Sequence, residues 1–314
     1  MRLFVCEFVT GGGLSGEALP PDLCREGEAM LQALVKDLLD VPGVSVIATR
    51  DSRLPHPDLA VDWHWIAATG AVWPRWQQLT EASDVLWPIA PETDRALERL
   101  SRLAYAAGRR LIGSDPETLR LTASKAATTA HLRAHGIAAV PTGSAAEPPA
   151  SEQGWVVKPD DGAGCEETWL LRDRCELARW DGKPGCVVQP FVPGLPASLS
   201  LLCGGGEARL LSSNRQEIVV EDGRFRHLGG SAGVAQARHE DLAARIAAAL
   251  PGLWGYVGVD FIETADGPVV LEINPRLTAS YAGLRAVLGA NPASLVLDLL
   301  ETGSLEPGVR LQHA

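Results

Sequence analysis

The chain has 314 residues, of which 46% are hydrophobic and 21% are charged, a composition typical of globular proteins with two or three domains or subdomains. The formal net charge of −11 disfavours a nucleic-acid partner, because a phosphate backbone would be repelled. No apolar run is long enough to span a bilayer and no signal peptide is apparent, so we expect a cytoplasmic protein with no membrane partner.

A glycine-rich segment follows the first predicted strand, which covers residues 2–9. Three glycines within residues 11–16 match the spacing G-x-G-x-x-G of dinucleotide-binding folds. That motif requires a helix to begin at once, but prolines at 20–21 intervene and the helical pattern covers residues 25–39. An NAD(P)-dependent oxidoreductase is therefore an alternative from another class and not the preferred interpretation.

Further strands are predicted at residues 44–49 and 83–90, and a short strand at 111–115 closes a first α/β domain. Glu92 follows the second of these strands. In α/β sheets ligands bind beyond the carboxyl ends of strands, which makes Glu92 a candidate for substrate binding. The alternative role of Glu92 is that of an acid in the first turn of a helix.

A predicted helix contains Lys125 near its start, and a predicted strand at 154–159 carries Lys158 near its end. A glycine-rich loop with Gly162 and Gly164 follows, and a second strand then returns. This arrangement is that of a flap whose backbone amides cover phosphate groups, with Lys158 as a point charge beneath. No G-K-[ST] follows the glycines, so this is not a Walker A loop, and a plain hairpin loop explains the segment equally well.

Polar residues follow the predicted strands of the second half of the chain. Asn214 and Arg215 come directly after a strand predicted at 207–212. His227 begins a second glycine-rich segment, predicted as a loop over 227–233. We expect these side chains at loop ends, where they are candidates for substrate binding.

A predicted hairpin near the C-terminal end carries the strongest chemical signal. If residues 265–267 form a three-residue loop, Asp260 lies opposite Glu272, and Asn274 shares the face of Glu272. Oxygen ligands on one rigid hairpin suit Mg²⁺, and Arg276 beyond them suits a phosphate. The alternative is the exposed face of an ordinary hairpin, but it does not explain acids inside two very apolar runs.

The order of these motifs resembles the ATP-grasp superfamily of carboxylate–amine ligases over about residues 112–301. A lysine opens a helix, a second lysine precedes a glycine loop, an apolar strand breaks near residues 189–192, and Glu-x-Asn-Pro-Arg ends a hairpin. The resemblance implies an α/β fold with a Rossmann-like pre-ATP-grasp domain followed by an ATP-grasp fold of two α+β subdomains. The implied boundaries are 1–115, 116–193 and 194–314.

The same resemblance implies roles for individual residues. ATP would be held by basic, glycine and hinge residues, namely Lys125, Lys158, Gly162, Gly164, Gln189, Pro190, Phe191 and Val192. One or two Mg²⁺ ions, or Mn²⁺, would be held by Asp260, Glu272 and Asn274. Arg276, together with Lys158, would act in catalysis by stabilising an acyl phosphate.

Short motifs at residues 10–13, 89–94, 214–216 and 227–230 resemble the tyramine–glutamate ligase group of methanofuran and related furan-cofactor biosynthesis. This resemblance implies that the γ-carboxyl of glutamate is joined to an aromatic amine such as tyramine or tyrosine. The candidates for substrate recognition are Glu92, Asn214, Arg215 and His227. A different amino acid or peptide substrate, or a non-catalytic nucleotide sensor, stays open. A homodimer is compatible with the resemblance, since dimers are common among similar ligases.

Overall fold

The computed structural model of the chain describes residues 1–162, 164–165 and 167–305. Within these residues the strands form two sheets, one of five strands and one of eight. No single helix in this part of the chain is long and apolar enough to cross a membrane, although two C-terminal helices pass the test together across a 90° bend.

The first sheet is parallel and has the order β3-β2-β1-β4-β5. Its strands are β1 Arg2–Glu7, β2 Ser45–Asp51, β3 Asp62–Ile66, β4 Val85–Ile89 and β5 Arg110–Leu111. Strand β1 is apolar on both faces and buried from Leu3 onward, as expected for a central strand covered on both sides. The strand order reverses beside β1, so the carboxyl ends of β1 and β4 border a crevice of the kind that binds ligands.

Three helices cover this sheet, namely α1 Pro21–Leu39, α2 Val72–Glu81 and α3 Ala96–Ala106. Helix α1 buries Leu31, Leu34 and Leu38 against one face, because apolar residues three and four apart share one side of a helix. Helices α2 and α3 pack on the other face with Trp76 and Leu100 in their core. The α/β class predicted for this region is confirmed.

The glycine segment after β1 is a buried turn at Val9–Gly13. The carboxylate of Glu7 accepts hydrogen bonds from the backbone and side chain of Thr10, both at 2.5 Å. Gly12 has φ of +100°, and a Cβ there would lie 2.6 Å from Ile66, so only glycine fits. Helix α1 begins eight residues after this turn, so the arrangement lacks the immediate helix that a dinucleotide motif requires.

The second sheet is antiparallel and has the order β13-β12-β9-β10-β11-β7-β6-β8. Its strands are β6 Trp155–Pro159, β7 Trp169–Leu171, β8 Cys186–Pro190, β9 Leu195–Gly204, β10 Glu207–Glu221, β11 Arg224–Ser231, β12 Gly255–Thr264 and β13 Gly267–Asn274. The remaining helices are α4 Pro116–Ala123, α5 Lys125–Ala134, α6 Arg174–Ala178, α7 Glu240–Ala249, α8 Tyr281–Leu288 and α9 Pro292–Thr302. The mixture of α and β elements predicted after the first domain is confirmed.

Two predicted loops are strands. Asn214 and Arg215 lie inside β10 and not after it, and most of the glycine segment 227–233 belongs to β11. The reason is pairing, because β10 is hydrogen-bonded to β9 on one side and to β11 on the other. Gly230 permits this close pairing, since a Cβ there would lie 2.6 Å from the carbonyl oxygen of Arg215.

The last two helices pack back onto the first domain. The hydroxyl of Tyr281 donates to Asp37 of α1 at 3.0 Å, and the side-chain amide of Asn291 donates to the Asp37 carbonyl at 2.7 Å. Leu284 and Val296 join the same apolar core as α1. The two sheets are therefore connected through helix α1 as well as through the chain.

Candidate active site

The hairpin of β12 and β13 places Asp260 directly opposite Glu272, as predicted. The reason differs from the prediction. Thr264 pairs with Gly267, so the loop has two residues and not the predicted three. A β-bulge between Asp260 and Phe261 shifts the pairing by one residue and so restores the predicted register. Bulges re-aim side chains next to functional sites, and here the bulge brings the two carboxylates into register.

Asp260 is held by neutral amides. The side chain of Gln216 donates to its Oδ1 at 2.9 Å, and the side chain of Asn274 donates to its Oδ2 at 3.1 Å. Burial, and then the negative charge of Glu272, raises the pKa of Asp260 to about 7. Asp260 is thus a half-buried carboxylate whose amide partners do not neutralise its charge.

Glu272 has the opposite electrostatic environment. Burial would raise its pKa, but the positive charges of Lys125 and Lys158 outweigh that effect and lower it to about 2. The ammonium of Lys125 lies 3.3 Å from the Glu272 carboxylate. Lys158 is buried in β6, and burial lowers its pKa. The structure thus brings both predicted lysines to the predicted acid hairpin.

The donor set around Asp260 fits a hard divalent cation. It consists of the Asp260 and Glu272 carboxylates and the neighbouring Asn274 amide, whose Nδ2 donates to Asp260. The described residues contain no group of three or more His, Cys, Asp or Glu that could hold a metal. Mg²⁺ is commonly bound by one or two carboxylates together with substrate phosphates. The raised pKa of Asp260 marks a site where a cation would offset an uncompensated charge.

The glycine loop closes over Lys125. The Lys125 ammonium donates to the carbonyl oxygen of Gly162 at 2.5 Å. Gly164 has a φ of +66°, and a Cβ at this position would lie 4.0 Å from the Leu23 side chain of α1. Burial, and then the charge of Glu272, raises the pKa of the Cys165 thiol to about 12. The loop therefore lies against the acid hairpin on one side and against helix α1 on the other.

The predicted hinge lies where β8 ends. The Gln189 side chain is buried and donates to the Thr142 hydroxyl at 3.0 Å, and the Phe191 amide donates to the Gly154 carbonyl at 2.9 Å. Strand β8 ends at Pro190, and Val192 follows outside the strand. The adenine contacts predicted for these residues stay predictions, and the Phe191 amide already has a partner within the protein.

Arg276 and Glu92 form an ion pair between the two sheets. The guanidinium Nε and Nη2 approach the Glu92 carboxylate at 3.0 Å and 2.9 Å, and both side chains are largely buried, at 12% and 7% exposure. The sequence suggested separate roles for these residues, on an acyl phosphate and on a substrate. The geometry shows that Glu92 holds Arg276, because a bidentate carboxylate fixes both position and angle of a guanidinium.

The other predicted substrate residues are not all brought to the site. Asn214 is buried and hydrogen-bonded to Ser198, Ser200 and Ser212. Arg215 is exposed, because the next residue of a strand points to the opposite face of the sheet. Their substrate contacts stay predictions that the geometry does not support. Gln216 is the residue of this polar cluster that contacts Asp260. Had the cluster been predicted as a strand, the period of two would have placed Gln216 on the same face as Asn214.

His227 of β11 faces helix α1. Its Nδ1 is 3.4 Å from the carboxylate of Glu26, a residue that sequence reasoning missed. The hydrogen bond to Glu26 raises the pKa of His227, and the charge of Asp260 contributes in the same direction. Glu26 carried no local signal, because only the fold brings α1 to β11.

Lysines, a glycine loop and an acid pair on one cleft are the groups with which proteins bind and neutralise phosphates. A family model described as the ATP-grasp domain matches residues 122–280, and a pre ATP-grasp 3 domain model matches residues 44–119. The chain belongs to the ATP-grasp family, and it is a ligase of that family.

Known proteins agree with this assignment. The chain is 25% identical over 270 residues to "Tyramine--L-glutamate ligase" of Methanocaldococcus jannaschii, which covers 84% of this chain and 80% of that protein. A Xanthomonas campestris protein named "Probable alpha-L-glutamate ligase" is 37% identical, but the match covers only 37% of this chain and 39% of that protein. A solved structure from Archaeoglobus fulgidus, described as an ATP-grasp superfamily protein, covers 100% of this chain and 90% of its own with a TM-score of 0.76 at 24% identity, which shows the shared fold.

Proposed function

We propose that this ligase joins the γ-carboxyl of glutamate to an aromatic amine such as tyramine or tyrosine, in the biosynthesis of a furan-type one-carbon carrier. The convergence of Lys125, Lys158, Glu272 and Arg276 on one cleft carries the ligase chemistry. The similarity to the tyramine ligase, which extends over most of both chains, supports the choice of substrates.

The proposed reaction has two steps. A carboxylate oxygen of the acid attacks the γ-phosphorus of ATP, and ADP leaves with the electron pair of the broken P–O bond. The amine nitrogen then attacks the acyl carbon, phosphate leaves, and the nitrogen loses a proton. Positioning and charge neutralisation are the protein's contributions to both steps.

Each side chain has a defined task in this scheme. Lys125 and Lys158 bind phosphate oxygens, and the Arg276 guanidinium faces the negative charge of the acyl phosphate. Asp260, Glu272 and Asn274 would hold Mg²⁺, which neutralises phosphate charge when bound. The glycine loop excludes water, so that the acyl phosphate meets the amine and not a water molecule.

The amine is proposed to enter beside Glu26 and His227. Glu26 offers a carboxylate to an incoming ammonium group, and His227 orients that carboxylate through the contact at 3.4 Å. We further propose domain boundaries at 115 and 193, and a cytoplasmic reaction, because ATP and free glutamate are metabolites of that compartment.

The proposal is tested by measuring ADP release with Mg·ATP and L-glutamate, with and without a panel of amines. ADP is expected only when glutamate and one aromatic amine are both present, and turnover should disappear in Glu272→Ala. Glu263→Ala is the matched control, because Glu263 lies on the same hairpin but contacts His239. Release with other acid–amine pairs would reject the aromatic amine, and nucleotide binding without any turnover would favour a sensor.

A further inference from the structure

A cavity of about 320 Å³ lies between helix α3, the α4–α5 junction and the start of the glycine loop. Its volume is in the range of small-molecule sites. The charged lining residues are Glu92, Arg95, Glu98, Arg120, Asp160 and Asp161. Neither the fold nor the chemistry described above uses the cationic part of this lining.

One wall of the cavity carries excess positive charge. Glu98 is only 4% exposed and accepts hydrogen bonds from three arginines, Arg95, Arg102 and Arg120. Two of these guanidinium groups, those of Arg95 and Arg120, line the cavity together with Glu98, which leaves one positive charge in surplus on this wall. Arg120 contacts Glu98 through one nitrogen at 3.2 Å, so most of its donors point elsewhere.

The backbone beside this wall is strained. Asp94 and Arg95 both have positive φ, at 52° and 58°, although neither is glycine. Such residues are costly to hold in this conformation and cluster at binding sites. The strained turn orients Arg95 onto Glu98, and the Asp94 amide donates to the carboxylate of Asp161 at 3.2 Å. The turn therefore fixes the cationic and the acidic lining residues relative to each other.

The lining also contains acidic residues. Asp161 and Asp160 extend from the end of β6 beside Lys125, and one oxygen of Asp160 caps helix α5 at the Ala126 amide, 2.9 Å away. A ligand in the cavity thus meets both guanidinium groups and carboxylates. The ligand chemistry that matches both is a zwitterion with a carboxylate and an ammonium group.

The cavity is connected to the reaction site through Glu92. This residue lines the cavity and also forms the ion pair with Arg276. A ligand held in the cavity therefore lies next to the residue that positions Arg276.

We propose that this cavity binds the acid substrate as an α-amino acid, with Arg95 and Arg120 holding the α-carboxylate and Asp161 facing the α-ammonium. The inference deepens the proposed function and depends on it for the identity of the acid. It explains how the γ-carboxyl is presented while the α-carboxylate is kept from the phosphate.

The first test is the KM for L-glutamate in Arg95→Gln and Arg120→Gln. Each substitution should raise this KM about tenfold, as expected for the loss of one charge-assisted hydrogen bond, with the KM for ATP within about twofold of wild type. Arg102→Gln is the matched control, because Arg102 also binds Glu98 but does not line the cavity. Equal KM values in the Arg120 and Arg102 variants would overturn the proposal.

The second test measures binding by calorimetry and needs no turnover. L-glutamate should bind more tightly than 4-aminobutyrate, which lacks the α-carboxylate, and more tightly than glutarate, which lacks the ammonium. Arg120→Gln should reduce the preference over 4-aminobutyrate, whereas Arg102→Gln should not. Selective binding without ADP release would reject the proposed reaction and keep the cavity assignment. If the enzyme turns over but Arg120→Gln keeps the full preference for L-glutamate over 4-aminobutyrate, the proposed reaction stands and the cavity assignment is rejected.

Discussion

Glu92 and Arg276 are separated by 184 positions in sequence and form a buried bidentate ion pair. We propose that Arg276 faces the reacting phosphate, and Glu92→Gln should then lower kcat about 10- to 100-fold through misplacement of the guanidinium. The KM for ATP should change little, since the proposed phosphate-binding residues are the two lysines and not Glu92. Steady-state ADP release measures both constants.

A double-mutant cycle provides the control for this prediction. Arg276→Ala should lower kcat more than Glu92→Gln, and the combined variant should resemble Arg276→Ala alone, because Glu92 acts through Arg276. Additive losses in kcat would show that Glu92 has an independent catalytic role.

Metal binding should depend on pH through Asp260. Its pKa of about 7 means that the carboxylate is protonated below that pH, and metal ligands must be deprotonated. The affinity for Mg·ADP should rise about tenfold per pH unit up to pH 7 and level off above it. Calorimetric titrations between pH 5.5 and 8.5 measure this dependence. Asp260→Asn should bind Mg·ADP weakly and with an affinity that does not depend on pH. Glu263→Gln, the control, should keep the rise in affinity up to pH 7.

Gly258 lies beside Asp260 on β12, and a Cβ there would lie 2.5 Å from the Cγ2 of Thr278. Gly258→Ala should lower the free energy of unfolding by about 1–3 kcal/mol through overpacking, as measured by denaturant titration. Thr278→Ser removes the clashing methyl but keeps the hydroxyl that contacts Tyr256 and Ser280. The double variant should recover most of the loss, and an unrecovered loss would contradict this steric explanation.

The stability of the protein in acid should depend on Glu98. The hydrogen bond from Arg95, together with those from Arg102 and Arg120, lowers the pKa of Glu98 from 4.5 to about 2. Its ionised form therefore stabilises the fold fully above about pH 4.5, and this contribution is lost as the pH falls toward 2. Glu98→Gln should have a lower Tm than wild type at pH 7, with a difference that shrinks below pH 4.5. A difference independent of pH would contradict the assignment.

The sequence predicted the acid hairpin and its lysines because each carries a local signal. Asp260 and Glu272 interrupt alternating apolar runs, and Lys158 is followed by a glycine loop. The register was right although the loop length was wrong, since the two-residue loop and the bulge compensate each other. A bulge has no reliable sequence signature, because it depends on how the neighbouring strand pairs.

Contacts between distant segments were beyond sequence reasoning. The pairs of Glu92 with Arg276 and of Glu26 with His227 depend on how one sheet is placed against the other. Asn214 and Arg215 were placed in a loop because polar residues suggest a strand end, whereas pairing with two neighbours continued the strand. Helix α4 was missed although Asp115 caps it at the amides of residues 117 and 118.

The packing of α8 and α9 on α1 has a consequence for protein synthesis. Helix α1 shares one apolar core with Leu284 and Val296, which are translated about 250 residues later. Domains generally fold as units from the N-terminus as the chain emerges, but this first domain must wait with an open apolar surface. A chain truncated at residue 280 should therefore aggregate or bind chaperones. The domain that is synthesised first thus receives the last part of its apolar core only when α8 and α9 have been made.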